Sequence, residues 1–256
     1  MEKKEKEELV SKEPKIEKYI HPLLGAREFL YGKPRFCFWL VDIQPQELRK
    51  SPDILKRIEK VKEFRLRSPK KATQRAADTP WLFQENRQPK TDYLLIPSTT
   101  SEKRRYIPMG YLTPSIISTN ANLIIPNADL YDFGVLESNI HMAWMRNVAG
   151  RLEMRYRYSA QIVYNNFPWP APTEKQKKKI KKTAQAILNA RALYSDSSLA
   201  DLYDPLTMPT ELLKAHQDND RAVMEAYGLP VKGTTESDAV AHLFKMYENL
   251  TKSSNK

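Results

Sequence analysis

The chain has 256 residues, 41% of them hydrophobic, and a formal net charge of +11. That length accommodates one large domain or two modest ones, and that apolar content can fill a core, which excludes global disorder. Nowhere does the sequence hold about 18 consecutive apolar residues, so nothing in it reads as a membrane-spanning helix.

The opening "MEKKEKEELVSKEPK" has no apolar stretch of the kind a secretory signal needs, and residues 1–18 read as a frayed or helical, solvated lead-in. "RFCFWLV" follows, rich in aromatic and β-branched residues between Gly32-Lys33-Pro34 and Asp42, and predicts a strand. Its Cys37 is the single cysteine and reads as a small buried hydrophobe. With no second thiol in the chain, no internal disulfide can form, which suits a reducing cytoplasm. Ser51-Pro52-Asp53 offers a cap, a first-turn proline and an acid at the positive end of a helix. Ile54, Ile58, Val61 and Phe64 then recur at helical spacing until Ser68-Pro69, predicting one buried face and one strongly basic face. Residues 56–75 carry nine Lys or Arg against Glu59 and Glu63.

Between 92 and 126, "DYLLIP", "RRYIPMGYL" and "NLIIP" are short apolar runs set apart by Ser, Thr, Asn and Pro, and predict a small sheet. Helical spacing returns over 134–149 through Val135, Leu136, Ile140, Ala143, Trp144 and Val148, with His141 read as structural. After Gly150 comes "RLEMRYRYS", in which Arg151, Glu153, Arg155 and Arg157 alternate with Leu152, Met154, Tyr156 and Tyr158. As one extended segment, it places every charge on one face and every apolar side chain on the other. Pro168, Pro170 and Pro172 close this first unit. Beyond them "TEKQKKKIKKTAQAILNARALY" predicts a helix with an apolar stripe of Ile180, Ala184, Ile187, Leu188 and Leu193, and six lysines between Lys175 and Lys182. Shorter helices are expected at 210–213 and 236–250. The pattern is α+β: a mixed domain over 1–172, with a small sheet and packed helices, then a helical segment over 173–256.

Catalytic chemistry is mostly absent from this pattern. "YNNFPWP" (164–170) superficially resembles the Asn/Asp/Ser-Pro-Pro-aromatic loop of adenine-N6 methyltransferases, but Phe167 and Trp169 break that order and no Pro-Pro occurs. An exit loop fixed by prolines is the better reading. The seven glycines include no Gly-x-Gly, so no dinucleotide-type cofactor turn is written here. His21, His141, His216 and His242 are scattered without zinc spacing, and Pro52-Asp53 has no downstream acid-x-Lys to complete a nuclease site. A binding surface remains. Basic chains attract polyanions. Arginine donates two bonds to guanine O6 and N7, while glutamate accepts from the cytosine amino group. Glu153 and Arg155, two residues apart on one face, can therefore read both members of a C·G pair; the bland alternative is a surface salt bridge.

The stretches "YIHPLLGAREFLYGKPRFCFWLVD", "VKEFRLRSPKKATQRAADTPWLF", "RQPKTDYLLIPSTTSEKRRYIPMGYL", "LIIPNADLYDFGVLESNIHMAWMRNVAGRLEMRYRYSAQIVYNNFPWP" and "SSLADLYDPLTMP" resemble the C-terminal third of MmeI-like type II restriction–modification DNA methyltransferases. The resemblance runs from about residue 13 to about residue 250. It implies a target recognition domain and a helical C-terminal segment that recognise double-stranded DNA by sequence. In such enzymes a nuclease, a helical connector and an S-adenosylmethionine-dependent adenine-N6 methyltransferase domain precede this region, with Mg needed for cleavage. No cofactor or metal is expected in this chain, and by itself it should neither methylate nor cut. The resemblance further implies that Glu153 and Arg155 specify the base pair beside the methylated adenine. Ala121, Arg157, Asn120 and Ser98 match positions implicated at neighbouring pairs, although Ser98 departs from the charged residues usual at its position. Lys70, Lys71, Arg75, Lys90, Arg104 and Arg105 are assigned to phosphates, which hold register without selecting bases. The other reading is a non-catalytic interaction subunit whose basic faces dock an acidic protein.

Overall fold

The structure, a computed structural model, describes residues 1–254. In chain order its elements begin with α1 (Lys3–Lys12), β1 (Ile20–Leu24), α2 (Ala26–Tyr31), β2 (Arg35–Phe38), α3 (Pro45–Arg49), α4 (Pro52–Leu66) and α5 (Lys71–Arg75). Short strands follow: β3 (Tyr93–Pro97), β4 (Thr99–Thr100), β5 (Gly110–Leu112), β6 (Ile117–Ser118) and β7 (Asn122–Pro126). Then come α6 (Leu130–Leu136), α7 (Asn139–Val148), β8 (Gly150–Leu152) and β9 (Arg155–Arg157). Four helices close the chain: α8 (Glu174–Ala192), α9 (Leu199–Leu202), α10 (Thr210–Ala226) and α11 (Glu236–Ser254). The fold is α+β, and the chain divides into two compact units.

The first unit comprises residues 1–24, 33–90 and 114–117. Strands β1 and β2 pair antiparallel, His21 opposite Cys37, over a small core of Leu9, Ile16, Ile20, Leu40 and Ile54. The N-terminal lead-in is thus not merely solvated: Leu9 and Ile16 are among the buried residues, because α1 and the 3-10 turn Pro14–Tyr19 supply one wall of this core. Helix α4 starts at Ser51-Pro52 as the sequence predicts, but the Ser51 hydroxyl donates to Glu13 (2.8 Å) rather than capping its own helix. The expected stripe also needs correction at its end. Phe64 is 73% exposed, whereas Arg65 is buried. Eleven residues complete three helical turns, so Arg65 returns to the line of Ile54, while Phe64 falls about 80° away. Arg65 donates to the carbonyls of Ala76, Thr79 and Leu82 at 2.7, 3.0 and 2.7 Å and so shapes the loop behind α5.

The second unit comprises residues 25–32, 91–113 and 118–256. Its sheet β5-β3-β7 is antiparallel, with the central β3 buried along its whole length. A large core joins β3 to α6, α7, α8, α10 and α11 through Leu94, Phe133, Trp144, Ile180, Val223 and Leu243. The helical span expected over 134–149 is two helices. Ser138 breaks it by accepting from His141 N as the cap of α7, and the side chain of Glu137 turns inward. There Glu137 accepts from Met109 N (2.8 Å) and from Arg191 (2.6 Å), in a site whose burial raises its carboxyl to about 7. On α8, Ile180, Ala184 and Ile187 are buried, but Leu193 is 69% exposed just beyond the helix end. The stripe instead continues to Arg191, again eleven residues from its start, with the guanidinium bonded to Tyr203, Met109 O and Glu137. A second sheet, β4-β9-β8, carries the segment after Gly150.

Candidate nucleic-acid interface

"RLEMRYRYS" is a tight hairpin rather than one extended strand. Leu152 pairs with Arg155, Arg151 with Tyr156 and Gly150 with Arg157, which leaves Glu153 and Met154 as a two-residue loop. Glu153 takes φ +56°, in the left-handed region that two-residue hairpin loops favour and that glycine usually occupies. The turn reverses the parity of the first strand. Arg155 and Arg157 share their face with Leu152, while Arg151 lies on the face of Tyr156. The expectation that all four charges share one face therefore fails at Arg151. Its guanidinium stacks 3.7 Å over the Tyr156 ring and donates to Met154 O at 3.0 Å, so it braces the turn from behind. Glu153 and Arg155 are exposed and joined by a 2.8 Å ion pair.

The other residues proposed to face bases gather around this hairpin. Strand β4 pairs with β9, Thr99 opposite Arg157. Ser98, between β3 and β4, donates its N–H to Ala121 O (3.0 Å) and accepts from Tyr158 N (2.9 Å). Ser98 thus ties the Asn120-Ala121 turn to the end of the hairpin. Asn120, Ala121 and Arg157 are exposed and Ser98 is half-buried.

The hairpin is anchored by side chains that face inward. Tyr156 and Tyr158 are buried, and the Tyr158 hydroxyl lies 2.8 Å from His141 Nε2 on α7. Complete burial holds the His141 imidazole down to about 3, so it is neutral and structural, as its place in an amphipathic helix suggested. "YNNFPWP" packs behind this anchor. Phe167 meets the His141 ring edge-on at 4.5 Å, and Pro168 O accepts from the Tyr227 hydroxyl at 2.9 Å. The Asn166 amide turns back to donate to Gln161 O at 3.0 Å. None of this forms a base-gripping loop; it is a corner.

The proposed phosphate contacts are dispersed. Lys70, Lys71 and Arg75 lie on or beside α5 and are exposed, as is Lys90, all in the first unit. Arg104 and Arg105 lie in the second unit. Arg105 is exposed over the Tyr106 ring, but Arg104 is half-buried, and desolvation lowers its pKa. In the first unit Cys37 is half-buried beside an apolar cavity of about 310 Å³, lined also by Phe36, Ile54 and Trp81, and burial pushes its thiol up to about 11.

Among the described residues the glycines do not build the open, glycine-rich strand-to-helix turn that cradles a nucleotide-like cofactor. Gly25 stands between β1 and α2, but its N–H donates to the Glu28 carboxylate at 2.8 Å, which fills that helix start with a negative charge; Gly32 and Gly228 end helices, and Gly233 lies in a turn before α11. Among the described residues no group of three or more His, Cys, Asp or Glu is placed to hold a metal ion. No helix among them is long and apolar enough to cross a membrane.

Comparison with known proteins covers nearly the whole length. Residues 1–171 match the family model of the MmeI target recognition domain, and residues 172–254 that of the MmeI C-terminal domain. The chain is similar to DNA methyltransferase A of Bacillus subtilis (strain 168), 36% identical over 242 residues, which is 94% of this chain and 27% of that protein. It is also similar to the solved structure of the type IIL restriction–modification enzyme MmeI in complex with DNA, at 50% identity and a TM-score of 0.95, over 98% of this chain and 34% of that one. The chain therefore spans about a third or less of these relatives, and it belongs to the MmeI family, as its target recognition domain followed by its C-terminal domain.

Proposed function

We propose that this chain recognises a specific double-stranded DNA sequence and presents it to catalytic domains that lie outside these residues. The observation that carries the reading is the β8–β9 hairpin. It holds a carboxylate and two guanidinium groups, Glu153, Arg155 and Arg157, exposed on a braced scaffold with Ser98, Asn120 and Ala121 beside it. Glu153 accepts from the cytosine amino group and Arg155 donates to guanine O6 and N7 of the same base pair. Lys70, Lys71, Arg75, Lys90 and Arg105 hold phosphates without choosing bases, and Arg104, being half-buried, contributes less. A two-stranded ribbon of this size fits the major groove.

The larger enzyme is, on this reading, an adenine-N6 methyltransferase that also cleaves DNA in the cytoplasm. S-adenosylmethionine and Mg are used by its other domains, so this chain alone neither methylates nor cuts. Family membership and the poor fit of its glycines to the cofactor support that division. So does the solved relative bound to DNA. No observation favours docking of an acidic protein.

The test is an exchange. Glu153→Lys combined with Arg155→Asp should change the preferred base at one position when the variant chain selects duplexes from a random pool, leaving the other positions alone. An unchanged selected sequence would overturn the assignment.

A further inference from the structure

The hairpin register exposes a residue that alternation along the sequence hides. Leu152 is the cross-strand partner of Arg155, so the two side chains stand about 5 Å apart at their Cβ atoms on one face, with Arg157 next along it. Leu152 is 46% exposed there. The opposite face buries Tyr156 and is closed by the stacked guanidinium of Arg151, so the exposure of Leu152 lies on the side that carries the arginines. On the face of Tyr156 the turn is braced by the bond from Arg151 to Met154 O and by the stacking of Arg151 on Tyr156.

We infer that Leu152 is a specificity-determining residue that contacts the C5 edge of a pyrimidine next to the base pair read by Glu153 and Arg155, favouring a 5-methyl group. The inference rests on the base-reading role of the hairpin proposed above. In the major groove a pyrimidine offers one apolar feature, the C5 position, which carries a methyl group in thymine and a hydrogen in cytosine. An exposed leucine held beside an arginine that spans a neighbouring base pair matches that feature and has no use for a donor or an acceptor. The arginine fixes the register, and the leucine adds a preference that hydrogen bonding cannot express.

The experiment removes and adds single methyl groups on the DNA. Duplexes selected by the wild-type chain are rebuilt with deoxyuridine for each thymidine, and with 5-methyldeoxycytidine for each deoxycytidine, one position at a time. The expected result is one pyrimidine, adjacent to the C·G pair, at which the methyl tightens binding about fourfold, the worth of one buried methyl group. Leu152→Ala should abolish that methyl dependence and keep the C·G preference; Leu152→Met should retain part of it. Indifference of the wild type to every methyl, or a methyl dependence that survives Leu152→Ala, overturns the inference and leaves the base-reading role standing. A C·G preference untouched by the Glu153→Lys, Arg155→Asp exchange overturns the base-reading role itself, and the role of Leu152 with it.

Discussion

At the scale of single residues, Glu153 is the informative case. A glutamate at φ +56° occupies a conformation that costs an L-residue about 1–2 kcal/mol and glycine almost nothing. Strain of this kind gathers at sites where the side chain has a task. Glu153→Ala keeps the strain and removes the carboxylate, whereas Glu153→Gly removes both. Urea unfolding should therefore show the glycine variant about 1 kcal/mol more stable than the alanine variant, and neither should retain the base preference assigned to Glu153. Equal midpoints for the two would mean that the turn is unstrained. The sequence marked Glu153 as a candidate, since a carboxylate two positions from an arginine matches base-edge chemistry. Its backbone state was not legible there, because "LEMR" contains none of the Gly or Asn that normally announces a two-residue turn. For the same reason Leu152 passed as an inward residue: once the strand reverses at Glu153-Met154, alternation counted straight through it assigns the wrong face.

At the scale of elements, α4 and α8 share a construction. Each begins an apolar stripe that sequence periodicity finds, Ile54 in one and Ile180 in the other. Each continues it, three turns later, with an inward-facing arginine, Arg65 buried and Arg191 10% exposed at its side chain, rather than with the nearest hydrophobe. Counting apolar residues selects Phe64 and Leu193; counting turns selects Arg65 and Arg191. The arginines are tolerated inside because their guanidinium donors are met by carbonyls or a carboxylate. Arg65→Met keeps the aliphatic stem but removes a charged donor from three carbonyls, of which Ala76 O and Thr79 O keep backbone N–H partners, and should destabilise the chain by roughly 1–3 kcal/mol. The expected signature is faster amide hydrogen exchange across 76–82, with the hairpin at 150–157 unaffected. Uniform loss of protection in both places would contradict that local role. The helices themselves were legible from spacing, while the Thr173–Gln176 capping box that starts α8 was written in the sequence but not read there. The break between α6 and α7 was not legible, because Glu137 reads as a surface acid until its partners Met109 and Arg191, distant in sequence, are seen.

For the whole molecule, charge decides more than any contact. A formal charge of +11 on 256 residues predicts DNA binding that weakens steeply with salt, because each neutralised phosphate releases a counterion. Lys70→Gln with Lys71→Gln should weaken binding to all sequences alike and flatten the plot of log affinity against log salt by about two units. A changed base preference, with the slope intact, would place these lysines among the readers instead. The family was legible from long motifs spread along the chain. Which of its basic residues are free to meet DNA was not, and the difference between exposed Arg105 and half-buried Arg104 shows why: adjacent cations in a loop differ only by what folds over them.

The ion pair between Glu153 and Arg155 carries one more consequence for a base-reading hairpin. On the reading proposed above, its two charges approach DNA already paired with each other. A base pair must therefore displace a companion rather than fill a vacancy, and only one that offers an amino group and paired acceptors together replaces both. On that reading, any other sequence leaves the pair in place. Selectivity then lies partly in what the hairpin declines to open for, and such a self-quenched tip can traverse long stretches of foreign DNA without pausing.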